Sequence, residues 1–491
     1  MLRVLAAAGQ RGSAAICGGG PAARGAAMAG WARGLASLRA AVVGSGPAGM
    51  YTVQRLLKQY GNDVAVDVLD RLPTPFGLVR SGVAADHADT KNVTNQFTRL
   101  LGDERVRFFG NVNVGGDVSL PELQELYDAV VLTYGTEADK RLGITGEELP
   151  GVLSAREFVW WFNGHPDCAD LPVDLSRTRS VAVLGLGNVA LDCARILLQS
   201  PTGPLAATDI SAAAHQELRR SAVEEVHIVG RRGAVQAQFT GIELKELLFT
   251  IPGIATAIPP EALALTAADE AEMAAERRKK RCVGLLRDKA AQNLGENQGE
   301  RSLRFHFLRS PVEVVAGSDG RAAALRMERN VLTGGGDGAE QRPRGTGEFE
   351  ELPVDLVLTC IGYRALPLEG VPFDERRGVI PNSRGRVDGV AGVYAGGWVA
   401  RGPSGKIGTN LADANDVVDA IVEDCNNAVI SPGDKQGDLA ELLRQRGVAV
   451  VDFQAWQRID EAEVREGEAT GKVRRKFDRV DDMLRVASGL L

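Results

Sequence analysis

The stretch that most restricts this chain is Gly185-Leu186-Gly187-Asn188-Val189-Ala190, set between the apolar run Val181-Ala182-Val183-Leu184 and the helix-like run from Leu191 to Leu198. Strand, glycine turn and helix in that order suit a dinucleotide pyrophosphate. Such a group needs a tight turn, close backbone approach and helix N–H groups aimed at its charge. The pattern occurs twice, because Val42-Val43 leads into Gly44-Ser45-Gly46-Pro47-Ala48-Gly49. Two such turns predict two dinucleotides and electron transfer between two cofactors. The fold class they imply is α/β, with two Rossmann-like dinucleotide-binding domains.

The residues that end the second strand of each unit distinguish the two sites. In the first unit a helix through Met50 to Leu57 precedes the strand Val64 to Leu69, which ends at Asp70, 26 positions after Gly44. An acid there accepts hydrogen bonds from ribose hydroxyls and repels a 2′-phosphate, so this site suits FAD or NAD better than NADP. The plainer alternative is a surface Asp closing a strand. In the second unit the strand Glu225 to Val229 ends in Gly230-Arg231-Arg232-Gly233. Two guanidinium groups there form charge-assisted, bidentate bonds to a 2′-phosphate, which predicts NADP, with a basic surface turn as the alternative. Arg231 comes 46 positions after Gly185, so an insertion around residues 199–222 is expected to loop out.

Between and after these units lie segments whose role the residues alone leave open. Phe76 to His87 is glycine-rich and apolar and carries a His that can titrate near neutral pH. Residues 112–114 and the strand from Ala129 to Gly135 are expected to complete the first half of that domain. Thr240-Gly241-Ile242-Glu243 matches a capping box, with a cofactor contact by Glu243 as the other reading. Arg277-Arg278-Lys279-Lys280-Arg281 reads as a solvated face or as a docking patch for an acidic protein. Residues 334–347 read as a long hairpin tip, and 401–410 as a further glycine-rich segment.

Length and charge narrow the rest. The 491 residues suffice for two or three domains, and the net charge of -7 argues against nucleic acid as the main ligand. No run reaches the roughly 18 apolar residues of a membrane span, which leaves only peripheral association with a membrane open. The six cysteines include no Cys-x-x-Cys pair, so the chain lacks that signature of a redox dithiol, a thiolate zinc site or an iron–sulfur cluster of its own. Cys193 and Cys360 read as small core residues. Residues 1–38 are rich in Ala, Gly and Arg, and no acid precedes Asp63. Such a leader fits a mitochondrial transit peptide, with chloroplast targeting or a plain extension as alternatives.

Together, the two glycine turns, the Phe76 to His87 segment, Gly230-Arg231-Arg232 and the Gly397 to Asn410 segment resemble the adrenodoxin reductase family, the mitochondrial-type ferredoxin–NADP reductases. The resemblance runs from about residue 40 to the end. It implies a glutathione-reductase-like fold with the NADP domain, 141–360, inserted into an FAD domain made of 39–140 and 361–491. FAD contacts would fall on Gly44, Gly46, Ala48, Gly49, Asp70, Leu78, Val114, Trp398, Gly405, Lys406 and Ile407. NADP contacts would fall on Gly185, Leu186, Gly187, Asn188, Val189, Arg231, Arg232, Glu243 and Gly405. His87 and Asp192 match polar residues near the flavin. The activity implied is hydride transfer from NADPH to FAD, then single-electron transfer to an acidic [2Fe-2S] ferredoxin. Because that acceptor is external, it favours the docking role of Arg277 to Arg281.

Three residues depart from the family pattern: Asp70 stands for a Glu, Leu186 for a polar residue and Lys406 for an apolar one. A cation at 406 is expected either to raise the flavin potential or to point to solvent. An NADPH-oxidising subunit of a glutamate-synthase-like complex, and an NADPH-sensing flavoprotein without turnover, are the alternative functions.

Overall fold

The computed structural model describes residues 37–292, 301–334 and 340–490. Of the expected leader, residues 1–36, with Cys17, lie outside the described residues, and its last residue, Leu38, already opens a buried strand.

Two parallel sheets carry the two glycine turns. In the first, Leu38–Val43 lies between Val64–Leu69 and Ala129–Leu132, with Val106–Phe109 beyond one and Val393–Ala395 beyond the other. The short strands Asn382–Ser383 and Arg386–Val387 add an antiparallel edge. In the second sheet Ser180–Leu184 lies between Glu225–Gly230 and Leu356–Thr359. Arg301–Phe307, Ile254–Ala257 and Val152–Ser154 complete it, all in parallel. In both sheets the strand that feeds the glycine turn has neighbours reached in opposite directions. That is the switch point at which such sheets open a crevice for ligands.

The strands are apolar because both faces of each sheet are covered, by helices on one face of the second sheet and by an antiparallel meander on the other. Val64–Leu69 is buried at every position. Its one charged residue, Asp67, is neutralised by Arg107 at 2.6 Å and accepts a hydrogen bond from Tyr127. The chain passes from the first sheet towards the second along Ala138–Asp139 and returns along Tyr363–Arg364, which pair as an antiparallel ribbon. A three-stranded antiparallel meander, Arg309–Ala316, Ala322–Thr333 and Arg342–Pro353, stands beside the second sheet.

Three expectations change. The strand that completes the first half is Val106–Phe109, and 112–114 forms the loop after it, tied back by Val112 N–H donating to Asp70 O at 2.9 Å. The pairing Phe109 to Leu69 uses up the sheet edge before residue 112 is reached. The expected hairpin tip is shorter, because the returning strand already begins at Arg342. The insertion does not loop out. Residues 204–210 and the helix Ala212–Arg219 bury Leu205, Ile210, Ala214 and Leu218 in the core of the second sheet, since their apolar spacing gives them a face to bury.

Charged contacts stitch the last helices to both sheets. Glu463, fully buried on the helix Phe453–Glu468, pairs with Arg80 and Arg474 and accepts the Phe477 N–H at 3.0 Å. Lys476 Nζ reaches Asp209 at 2.9 Å and the carbonyls of Arg80 and Asn163 at 3.0 Å, while Lys91 pairs with the same Asp209 at 2.7 Å. Asp209 belongs to the insertion, so that segment joins residues near both ends of the described chain.

Candidate functional site

At the first turn Gly44 has φ +102, and a Cβ there would lie 2.6 Å from the Thr133 carbonyl oxygen, so only glycine fits. A Cβ at Gly49 would lie 2.0 Å from Gly44 O, which brings the helix Pro47–Tyr60 against the turn. Beside Gly46, by contrast, nothing lies within 4 Å of where a Cβ would sit. The helix has no side-chain cap and no acid in its first turn. Its leading N–H groups are therefore left facing that space.

Segments from far along the chain close around this helix end. Phe76 N–H donates to Ser45 Oγ at 3.1 Å, and Leu78 opens the next short helix. A Cβ on Gly397 would lie 2.5 Å from the Ala48 Cβ, so Trp398 follows directly on the turn, and its Nε1 donates to Ser404 O at 3.0 Å. Asp70 is turned inward: its Oδ2 accepts the Ser45 N–H at 3.0 Å and the Ser45 hydroxyl, and its Oδ1 accepts the Leu72 N–H at 3.0 Å. Val114 lies on the loop tied to Asp70. Lys406 is exposed, with its N–H donating to Thr409 Oγ1 at 3.0 Å, and Gly405 and Ile407 flank it.

The second turn repeats the plan with different surroundings. A Cβ on Gly185 would lie 2.2 Å from Cys360 O, whereas nothing lies within 4 Å of one on Gly187. The helix Asn188–Leu198 is also uncapped by any side chain. Asn188 Oδ1 instead accepts the Thr240 N–H at 2.8 Å, and Leu186 O accepts the Gln238 N–H at 2.7 Å. The Leu186 side chain covers Gly230, where a Cβ would come within 2.2 Å of it. The departure at 186 is thus a packing residue that seats the strand end carrying Arg231 and Arg232. Asn330 Nδ2 donates to Arg231 O at 2.9 Å and Leu308 N–H to Arg232 O at 3.0 Å, so the arginine turn is braced from behind. Arg231 is exposed, and Arg232 pairs with Glu340 at 2.7 Å.

Both open helix ends fit a dinucleotide pyrophosphate. Other helices here fill the same place with their own side chains, as Ser119, Ser154 and Thr266 do in complete capping boxes. The expected box at Thr240 is not among them. The helix Gly241–Phe249 has no side-chain cap, and Glu243 turns away into a polar cluster. Asn188 has taken the Thr240 N–H that Glu243 would have accepted.

That cluster gathers His87, Asp192 and Glu243 around a fully buried Arg195. His87 Nε2 lies 2.8 Å from Glu246 Oε2 and 3.5 Å from Glu243 Oε2. Arg195 bonds Asp86 through Nε at 2.7 Å and Nη2 at 2.9 Å, and lies 2.8 Å from Asp192 Oδ1. Its Nη1 is 3.9 Å from Glu243 and 3.8 Å from Glu246, so this N–H and Glu243 Oε2 are both buried without a hydrogen-bond partner. Burial pushes the Asp192 carboxyl up to about 6, against the opposing charges of Arg195 and His87 and with that of Glu243. Burial would also raise Asp86, but the Arg195 bonds outweigh it and hold that carboxyl low. One carboxyl of the cluster thus exchanges its proton near pH 6 while its neighbour stays ionised.

Sequence reading missed Asp86, Arg195, Glu246 and Glu340. The available signal was spacing: Asp192 and Arg195, and Glu243 and Glu246, are each three apart and so share a helix face. In the basic run, Arg277, Lys280 and Arg281 are exposed on the helix Arg277–Gln292. Arg278 is spent on the carbonyls of Ala237 and Phe239, and Lys279 on Glu272 at 2.6 Å. Cys193 is fully buried, whereas Cys360 is half-buried at the edge of the same core, where desolvation pushes its thiol up to about 12.

The sequence profile of the pyridine nucleotide-disulphide oxidoreductases matches residues 38–248. A relative from Arabidopsis thaliana named NADPH:adrenodoxin oxidoreductase, mitochondrial, is 45% identical over 466 residues, 92% of this chain and 95% of that one. The Homo sapiens protein of that name is 44% identical over 91% of both chains. NADPH-ferredoxin reductase FprA of Mycobacterium tuberculosis is 42% identical over 91% of this chain and 99% of that one. The structure of FprA in complex with NADPH superposes with a TM-score of 0.87 at 41% identity, covering 92% of this chain and all of that one. The two open glycine turns, in a chain alike over nearly its whole length, place it in the family of NADPH:adrenodoxin oxidoreductases.

Proposed function

We propose that this chain is an FAD-dependent oxidoreductase that takes electrons from NADPH and delivers them to a [2Fe-2S] ferredoxin. The observation that carries this is the pair of uncapped glycine-turn helices in one chain, only one of which is followed by an arginine pair. When bound, the flavin accepts two electrons as a hydride and releases them singly. The chain's own residues bind and orient. The backbone at Gly44 to Gly49 holds the FAD pyrophosphate, with Asp70, Leu78, Val114, Trp398 and Gly405 to Ile407 around the rest of that cofactor. Leu186 to Val189 hold the NADP pyrophosphate, and Arg231 and Arg232 its 2′-phosphate. His87 and Asp192 hold and move a proton beside the ring system, with Glu243 at the same place.

The division into an FAD unit, 39–140 with 361–491, and an NADP unit, 141–360, belongs to this reading. So does an acidic ferredoxin docking on Arg277, Lys280 and Arg281. The leader and the mitochondrial names of several relatives support a mitochondrial location, although the bacterial FprA is nearly as similar. A fluorescent fusion of residues 1–38 that stays in the cytosol or enters plastids would overturn that location.

Anaerobic stopped-flow tests the electron path. Mixing with NADPH should bleach the flavin, and adding a [2Fe-2S] ferredoxin should restore its absorbance as the ferredoxin is reduced. Bleaching without transfer to any ferredoxin tried would overturn the assigned acceptor. Reversing Arg277, Lys280 and Arg281 to Glu should slow ferredoxin association about tenfold and flatten its salt dependence.

A further inference from the structure

Arg232 is not waiting unpaired for a phosphate. Its Nη1 pairs with Glu340 Oε1 at 2.7 Å, while its Nε is buried without a hydrogen-bond partner. Glu340 is held there by the next residue. Gln341, buried, donates from Nε2 to Asp269 Oδ1 at 3.0 Å and to Glu272 Oε1 at 3.1 Å. Asp269 is itself fixed in the capping box of the helix Ala267–Ala275, and Glu272 by Lys279. The carboxylate is thus delivered to the guanidinium by an anchored strand end.

We infer that Glu340 competes with the 2′-phosphate of the dinucleotide for Arg232, so that binding an NADP-type ligand exchanges one anion for another at this guanidinium. The inference rests on the reading that Arg231 and Arg232 hold that phosphate. Its physical basis is that the phosphate carries about two negative charges against the carboxylate's one, and accepts bidentate bonds, so it displaces Glu340. The displacement still costs the existing ion pair, which is half-exposed and therefore weak. A ligand with a 2′-hydroxyl has no charge with which to make the exchange. Glu340 therefore limits affinity for phosphate-bearing dinucleotides while leaving the others untouched.

Calorimetric binding of 2′,5′-ADP and of 5′-AMP to the flavin-loaded protein tests this without turnover. Glu340→Gln should tighten 2′,5′-ADP about two- to fivefold, the range set by an exposed ion pair, and leave 5′-AMP unchanged. Glu340→Lys should tighten it further. Equal 2′,5′-ADP affinities across the three proteins, or equal tightening of both ligands, would overturn the competition. If 2′,5′-ADP binds the unaltered protein no better than 5′-AMP, the assignment of the arginine pair fails as well, which separates the two errors.

Discussion

The two glycine turns share a strand, a turn and an open helix end, yet distant segments enclose the first while charged residues face outward at the second. Around the first, Ser45, Phe76, Asp70 and Gly397 converge from four places in the sequence, and the acid is bonded inward to Ser45. Around the second, Cys360 lies behind the turn and the charged residues face out, Arg231 to solvent and Arg232 to an exchangeable carboxylate. A site closed by distant segments suits a cofactor that stays. One with outward charges on a braced turn suits a cofactor that comes and goes. The same local motif serves both because residency is decided by what surrounds it.

The sharpest way to break this contrast is at the third small residue of each turn. Gly49→Val should destabilise the protein by about 3 kcal/mol or more, because its Cβ would overlap Gly44 O and move the helix. Flavin should be lost with it in thermal unfolding followed by absorbance. Ala190, fully buried at the matching place, already carries a Cβ, and Ala190→Gly should cost only about 1 kcal/mol. A Gly49→Val protein as stable as its parent would mean that the first turn is no tighter than the second.

Next in size, Arg231→Ala with Arg232→Ala should weaken NADPH binding roughly 100-fold, from two charge-assisted bonds at about 1.5 kcal/mol each. NADH binding and flavin content should not change. An unchanged preference for NADPH over NADH would remove the arginines from cofactor choice. Smaller still in stability are Gly46→Val and Gly187→Val, whose side chains enter open space on backbone that any residue adopts. Each should fold within about 1 kcal/mol of the parent. The first should then lack flavin, and the second should keep flavin but fail to bleach with NADPH.

A titration tests the polar cluster itself. With Asp192 raised from 3.8 to about 6 by burial, the folded chain binds a proton that the unfolded chain releases. This group's contribution to stability is full below pH 3.8 and is lost as pH rises through about 6. Asp192→Asn should remove the corresponding carboxylic-acid band from infrared pH-difference spectra. A band that persists would assign the proton to another group.

Both turns, the acid after one and the arginines after the other were legible because each depends on residues adjacent in sequence. The polar cluster was legible only in part. His87, Asp192 and Glu243 were picked out singly, but Arg195, which holds them in one place, sits inside an apolar helix and resembles a charge turned outward. Thr240 shows the opposite failure, since its capping pattern was complete but Asn188, 52 positions away, took the hydrogen bond. The insertion was misread for a related reason: spacing measured from Gly185 shows extra residues but not the face on which Leu205 and Ile210 are buried.

The stitching of Arg80 and Lys91 to Glu463 and Lys476 bears on how the chain is made. The first sheet cannot finish its interior until Val393–Ala395 has been synthesised, and Arg80, on the short helix Leu78–Ser81, has no Glu463 carboxylate until residue 463 emerges. Contacts this far apart form late and slowly. The early half of a nascent chain would leave the ribosome incomplete, with apolar strands in search of partners. The yield of active protein then depends on how well those strands are shielded in that interval, as well as on the stability of the finished fold.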